Sequence, residues 1–174
     1  MITTEEILNS EVRSLTWKQP FASMMLKGKQ ETRVWDTKYR GLVLITAGLS
    51  TYSIYDADHI SGFHNVNEMI TVLASLGFKT SRWHPMPFQS LPLGKALAIG
   101  RLAAVIPASD YAGMRKNFED QTYVLWKDSL YMHYYHDVTP VEIIPWKGHQ
   151  GWRILNDEQK LLIKPINNAK ASIT

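Results

Sequence analysis

Glu31 and Arg33 lie two residues apart in a short stretch that opens with Gly28-Lys29 and closes at Trp35. Residues two apart on a strand share a face, so Glu31 and Arg33 project together and Thr32 projects the other way. A guanidinium is a planar fork that fits a phosphate or a base edge, and a neighbouring carboxylate can orient it or accept from a ligand. Lys29 adds a point charge beside them. Trp17, Phe21 and Trp35 flank the group, and aromatic rings next to cations hold unstacked bases at ~1–3 kcal/mol per base. The same residues also admit a plainer reading: an exposed ion pair worth ~0–1 kcal/mol, with Trp17 and Phe21 sealing one end of a core.

Further candidates surround this group. Lys18, Gln19 and Pro20 precede a short apolar helix, whose N-terminus would attract an anion. Tyr39 and Arg40 belong to a turn and extend the basic rim or decorate a hairpin. Lys147 stands between glycines and aromatics in the segment 145–152, where glycines admit close backbone approach or simply shape a turn. His133 and His136, three apart in a strand-like stretch, fall on opposite faces, and with His59 and His64 they form no recognisable ligand pattern. No metal and no cofactor is expected. No Gly-x-Ser-x-Gly elbow marks a hydrolytic serine.

Composition narrows the class. The chain has 174 residues, 45% of them hydrophobic, which suits one domain with a real core. With no cysteine, disulfides, thiolate nucleophiles and cysteine-based zinc sites are excluded. The first ten residues are polar and acidic, unlike a signal peptide, and no apolar run approaches the ~20 residues that span a bilayer. The cytoplasm is the expected compartment, and no membrane partner is expected. Net charge is only +3, but the cations cluster. Arg13, Lys18, Lys27, Lys29, Arg33, Lys38 and Arg40 face only Glu31 and Asp36 between residues 12 and 40. Such a local field suits a phosphate-bearing partner or is a solvated basic face.

The elements that must position these residues follow from periodicity and punctuation. Thr3 with Glu5 and Glu6 starts a short helix. Strands are expected at 12–17, 30–35, 42–47, 96–106, 123–126, 130–135 and 141–144, the last two separated at Pro140. Helices are expected at 20–27, ended by Gly28, through 69–76, capped by Asn65 or Asn67 and ended by Gly77, at 109–118, and at 157–163, capped by Asn156. Residues 48–65 and 80–94 read as long loops on a rigid scaffold, the usual place for ligand choice. Many strands with helices inserted between them predict an α+β fold: a mixed, mainly antiparallel sheet closing into a β-barrel. The expected layout is an N-terminal helical extension at 1–11, one domain at 12–156, and a C-terminal helix with a loose tail at 157–174.

Several segments, in order, resemble the signature of ASCH domains. They are Trp17-Lys18-Gln19-Pro20-Phe21, then Gly28-Lys29-Gln30-Glu31-Thr32-Arg33, then Thr37-Lys38-Tyr39-Arg40-Gly41, then Ala98-Ile99-Gly100, and last Pro145-Trp146-Lys147-Gly148-His149-Gln150-Gly151-Trp152. The usual motif has two more residues between its glycine and its glutamate. The resemblance covers roughly 12–155 and implies a PUA-like barrel that binds RNA, or a nucleotide or modified nucleoside, in a basic cleft. It also implies an alternative, since some small members deacetylate N4-acetylcytidine with a lysine, a threonine three residues later and a glutamate. Lys29, Thr32 and Glu31 are the catalytic candidates on that reading. Ribonuclease activity is a more distant implication. Oligomeric state is not legible.

Overall fold

The computed structural model describes residues 1–51, 66–79, 88, 90–111 and 127–166. Among these residues six strands form one sheet: β1 Val12–Gln19, β2 Glu31–Arg33, β3 Gly41–Thr51, β4 Lys95–Pro107, β5 Tyr131–Pro145 and β6 Arg153–Ile154, in the order β2-β5-β4-β3-β1-β6. Only β1 and β3 run parallel, with Val12 opposite Leu42 and Trp17 opposite Ala47; the other pairs are antiparallel. The fold is therefore the expected α+β class with a mixed, mainly antiparallel sheet.

The sheet curls into a half-barrel. β1 and β2 are four places apart, which in a flat sheet would separate them by ~19 Å. Yet Trp17 Nε1 of β1 donates to Glu31 Oε2 of β2 at 2.7 Å. Side chains bridge the gap at this end instead of a closing ladder. Trp35, just past β2, meets Trp152, just before β6, with ring centroids 5.6 Å apart. Trp152 in turn meets Tyr39 at 5.7 Å.

Both faces of the sheet are covered, because β3 buries consecutive residues from Leu42 to Ala47. On the inner face Leu15, Trp17, Val43, Ile45, Ala47 and Tyr135 pack together. On the outer face Val12, Leu42, Leu44, Ile99 and Val141 pack with Ile2 and Ile7 from the N-terminus and Leu155 and Ile163 near the C-terminus. Two short helices press on this outer core. In α1 (Thr4–Asn9) the Thr3 hydroxyl accepts from Glu6 N–H. α4 (Asp157–Leu161) is held by a reciprocal box, with Asn156 Oδ1 accepting from Gln159 N–H and Gln159 Oε1 from Asn156 N–H.

α2 (Phe21–Met24) and the 3₁₀ turn Met25–Lys27 end at Gly28, whose φ of 77° only glycine adopts freely. α3 (Val66–Ser75) brings Leu73 onto Met24 of α2, with Phe78 and Phe88 alongside. One expectation is overturned. The segments 130–135 and 141–144 are not two strands around Pro140 but a single β5. Register shifts against β4 and a left-handed Asp137 (φ 53°) let the strand bend. Pro140 is accommodated because β2 covers only residues 131–133 of the other side of β5. There the Pro140 carbonyl accepts from Ile166 N–H at 2.8 Å. The expected helix at 109–118 begins as the 3₁₀ turn Ala108–Tyr111; its remainder, the strand at 123–126, the tail and most of the two long loops lie outside the described residues.

Candidate nucleic-acid interface

Glu31 is the hub of the inner face. Its Oε2 accepts from Trp17 Nε1 at 2.7 Å and from Lys29 Nζ at 3.1 Å. Its Oε1 stands 3.8 Å from Arg33 Nε, an ion pair too long for a hydrogen bond. Burial works to raise the carboxyl, but the charges of Lys29 and Arg33 and the two donated hydrogen bonds outweigh it and hold the group below its ordinary 4.5. Burial also dominates at Lys29, whose amine lies below its ordinary 10.5 despite Glu31 beside it.

Lys29, expected as a point charge in the cleft, is instead buried, with 3% of its surface exposed. Its amine donates to the Gln30 carbonyl at 2.7 Å and to Glu31, and sits 5.2 Å over the Phe21 ring. It braces Glu31 from below. Thr32 pairs with Met132 on the strand face opposite Glu31 and Arg33, as alternation requires.

Arg33 is held by stacking. Its guanidinium carbon lies 5.2 Å from the Trp17 ring centre and 5.6 Å from that of Trp35. Its buried Nε has no hydrogen-bond partner among the described residues. Tyr135 Oη and Trp152 Nε1, close by on the inner face, are also buried without one. Burial pushes the Tyr135 phenol well above its ordinary value, so it remains a donor. His133 is buried and contacts the Trp35 carbonyl through Nε2 at 3.1 Å. A carbonyl only accepts, so Nε2 carries the proton. Burial, then the charges of Arg33 and Arg40, keep the ring below its ordinary 6.5.

Above this layer opens a cleft of about 420 Å³ lined by Trp17, Lys18, Arg33, Trp35, His149 and Gln150, with Thr16, Gly48, Ser50 and Gly151 between them. Of the residues read from sequence, Trp17, Lys18, Arg33 and Trp35 thus meet in one place. Others serve the scaffold. Gln19 is buried; its Nε2 donates to the Pro92 carbonyl at 2.8 Å and its Oε1 accepts from Ser23 N–H at 3.1 Å. That bond engages one of the α2 amides an anion would have used. The Gln19–Pro20 peptide is cis, and Phe21 packs between the inner core and α3. Tyr39 donates to the Leu42 carbonyl at 2.8 Å, and Arg40 donates to the carbonyls of Thr37, Tyr39 and Val105. Both pin the turn. Lys147 lines a second, adjoining cleft.

Sequence reading missed His149, Gln150, Thr16 and Gly48. The signal for the first two was the Gly148-His149-Gln150-Gly151 run, whose glycines read either as a close backbone approach to a ligand or as a turn. Its loop is fastened to β1, where the Thr16 hydroxyl accepts from His149 N–H at 3.1 Å. A Cβ on Gly148 would come within 3.0 Å of Thr16, so the lack of a side chain permits the contact. Among the described residues no three histidines or carboxylates gather as a metal site, and no helix is long and apolar enough to cross a membrane.

No protein-family model matches the sequence, and no curated protein matches it. Among solved structures the chain is similar to the crystal structure of ASCH from Zymomonas mobilis, with a TM-score of 0.47 at 13% identity over 88% of this chain and 96% of that one.

Proposed function

We propose that the cleft between Trp17 and Trp35 binds RNA or one of its nucleotide units, with Arg33 as the central contact. The observation that carries this reading is the Arg33 guanidinium itself: clamped between two indoles, oriented by Glu31, and lining a concave site. A guanidinium held this way loses little freedom when it meets a phosphate or a base edge. Trp35, half-buried, supplies π surface, Trp17 is the buried floor that Arg33 stacks on, and Lys18 adds charge at the rim. The buried Lys29–Glu31 pair supports binding as a brace. The amidohydrolase reading needs Lys29 and Thr32 to work on one substrate, and strand alternation turns Thr32 away from Glu31, the residue that Lys29 contacts.

Titration with a short single-stranded RNA at fixed salt tests this. Arg33→Ala is expected to weaken binding about tenfold or more and to lower the dependence of log K on log salt by about one unit. Binding unchanged by Arg33→Ala would remove the cleft from the account. Release of cytidine from N4-acetylcytidine by the same protein, lost in Lys29→Ala, would favour hydrolysis instead.

A further inference from the structure

The Arg33 cleft does not stand alone. A larger one, about 640 Å³, opens beside it and is lined by Ala47, Leu49, Gly94, Pro145, Trp146 and Lys147. The two share Thr16, Gly48, His149 and Gln150 as a common wall. A lone nucleoside or nucleotide gives no reason for the second cleft.

The chemistry of the second cleft differs from the first in an informative way. Leu49 is 84% exposed on β3, a large apolar side chain held out beside polar neighbours. Its base is backbone: Gly94 N–H donates to the Gly48 carbonyl at 3.1 Å, and Trp146 N–H donates to the Gly94 carbonyl at 2.8 Å. Gly94 has φ +60°, and a Cβ there would stand 2.8 Å from Leu49 Cδ2, so the leucine lies directly against bare backbone. An apolar side chain over glycine backbone offers van der Waals contact to a flat ring, and one lysine at its side offers charge to the attached anion.

Charge selects the class of partner. Among the described residues lining the two clefts are Lys18, Arg33 and Lys147 and no carboxylate. His149 stands in the shared wall. Its Nε2 lies 3.0 Å from Arg153 Nη1, and a guanidinium can only donate, so Nε2 accepts and the ring proton sits on Nδ1. Burial, then the charges of Arg153 and Lys147, keep this ring neutral by lowering its affinity for a second proton. The wall is rigid. The Thr16 hydroxyl accepts from His149 N–H and lies 2.9 Å from the Thr46 hydroxyl, so the loop 148–151 is tied to two strands.

We infer that the ligand is a single-stranded RNA segment occupying both clefts, one nucleotide on Arg33 beside Trp35 and its neighbour in the strand against Leu49 and Lys147, with His149 donating to the connecting unit. This rests on the Arg33 cleft being a nucleotide site and names the minimal ligand of that site as a dinucleotide step. Specificity then lies in strand continuity, and a free nucleoside fills half of the surface.

Calorimetric titration at fixed ionic strength with uridine monophosphate, the dinucleotide UpU and a four-residue oligouridine separates the possibilities. Expected is at least a tenfold gain from mononucleotide to UpU, with a smaller step to the tetramer. Leu49→Glu and Lys147→Ala should abolish that gain and leave mononucleotide affinity within about twofold. Leu161→Glu makes the same charge change as Leu49→Glu on α4, lining neither cleft, and should keep the gain. Mononucleotide binding that needs Arg33 but does not strengthen with length overturns this inference and leaves the Arg33 site standing. No binding by any of the three removes both. Equal loss of the gain in Leu49→Glu and Leu161→Glu, or competition by polyglutamate as strong as by UpU, would show a charged surface only and also overturns it.

Discussion

The two faces of one sheet are built on different terms. The outer face packs Ile2, Ile7, Leu42, Leu44, Ile99 and Ile163 around two buried hydroxyls, Ser14 opposite Leu44 and Thr139 opposite Ile99. The inner face holds Leu15, Val43 and Ile45, but also a buried lysine, a glutamate with both oxygens engaged, a histidine and three buried donors without hydrogen-bond partners. Each unpartnered buried donor costs on the order of 1–3 kcal/mol. The difference teaches that, among the described residues, the buried charges gather on the inner face, while the outer face buries only hydroxyls among its apolar side chains.

Substitutions can break this contrast. The largest effect is expected at Glu31. Glu31→Ala leaves Lys29 buried with only the Gln30 carbonyl and deprives Trp17 Nε1 of its acceptor, costing about 3–5 kcal/mol in urea denaturation. The paired replacement Glu31→Leu with Lys29→Met should recover most of that stability, because a buried ion pair is near break-even against apolar groups of similar size, yet RNA binding should stay weak. Full recovery of binding in the pair would mean that Glu31 does not orient Arg33.

Leu44→Ala should cost ~3 kcal/mol through lost transfer energy and a cavity in the outer core. The folded fraction should bind RNA as the parent does. A matching loss of affinity, measured well below the melting temperature, would show that the two faces are coupled.

The smallest effect is in pH dependence. His133 lies below its ordinary 6.5 in the folded state, so between that lowered value and 6.5 the unfolded chain binds more protons and stability falls as pH drops. Glu31 lies below 4.5, so its contribution is complete above 4.5 and is lost as pH falls further. His133→Gln keeps a donor for the Trp35 carbonyl and should flatten the first limb while sparing the second, as followed by thermal melts from neutral pH down to well below the ordinary carboxylate range. An unchanged first limb would assign it to other groups.

Much of the scaffold was legible because its signals are local. Thr3 and Asn156 mark helix starts through their own side chains, and Gly28 and Gly77 mark ends through a backbone only glycine adopts easily. The alternation of β2 placed Glu31 with Arg33 and Thr32 opposite them before any coordinates. Pro140 misled, because the same residue that ends a central strand is tolerated where the outer side of β5 is not covered by β2. The clustering of Trp17, Lys18, Arg33 and Trp35 was legible through residue type, whereas Gln19, Tyr39 and Arg40 have the same polar character but face backbone carbonyls.

By itself the sequence determined the elements, the basic segment and the residues able to hold a base or a phosphate, since propensity, capping and charge act within a few positions along the chain. Only the tertiary structure decided which of them meet. The curl of the sheet brings β1 against β2 across four places, draws Lys29 under Glu31 and out of the solvent, and seats the loop 148–151 on Thr16 so that His149 joins a site some 120 residues away in sequence. Those contacts depend on how far a sheet bends under side-chain packing on both faces, a quantity summed over the whole core that no short stretch of sequence encodes.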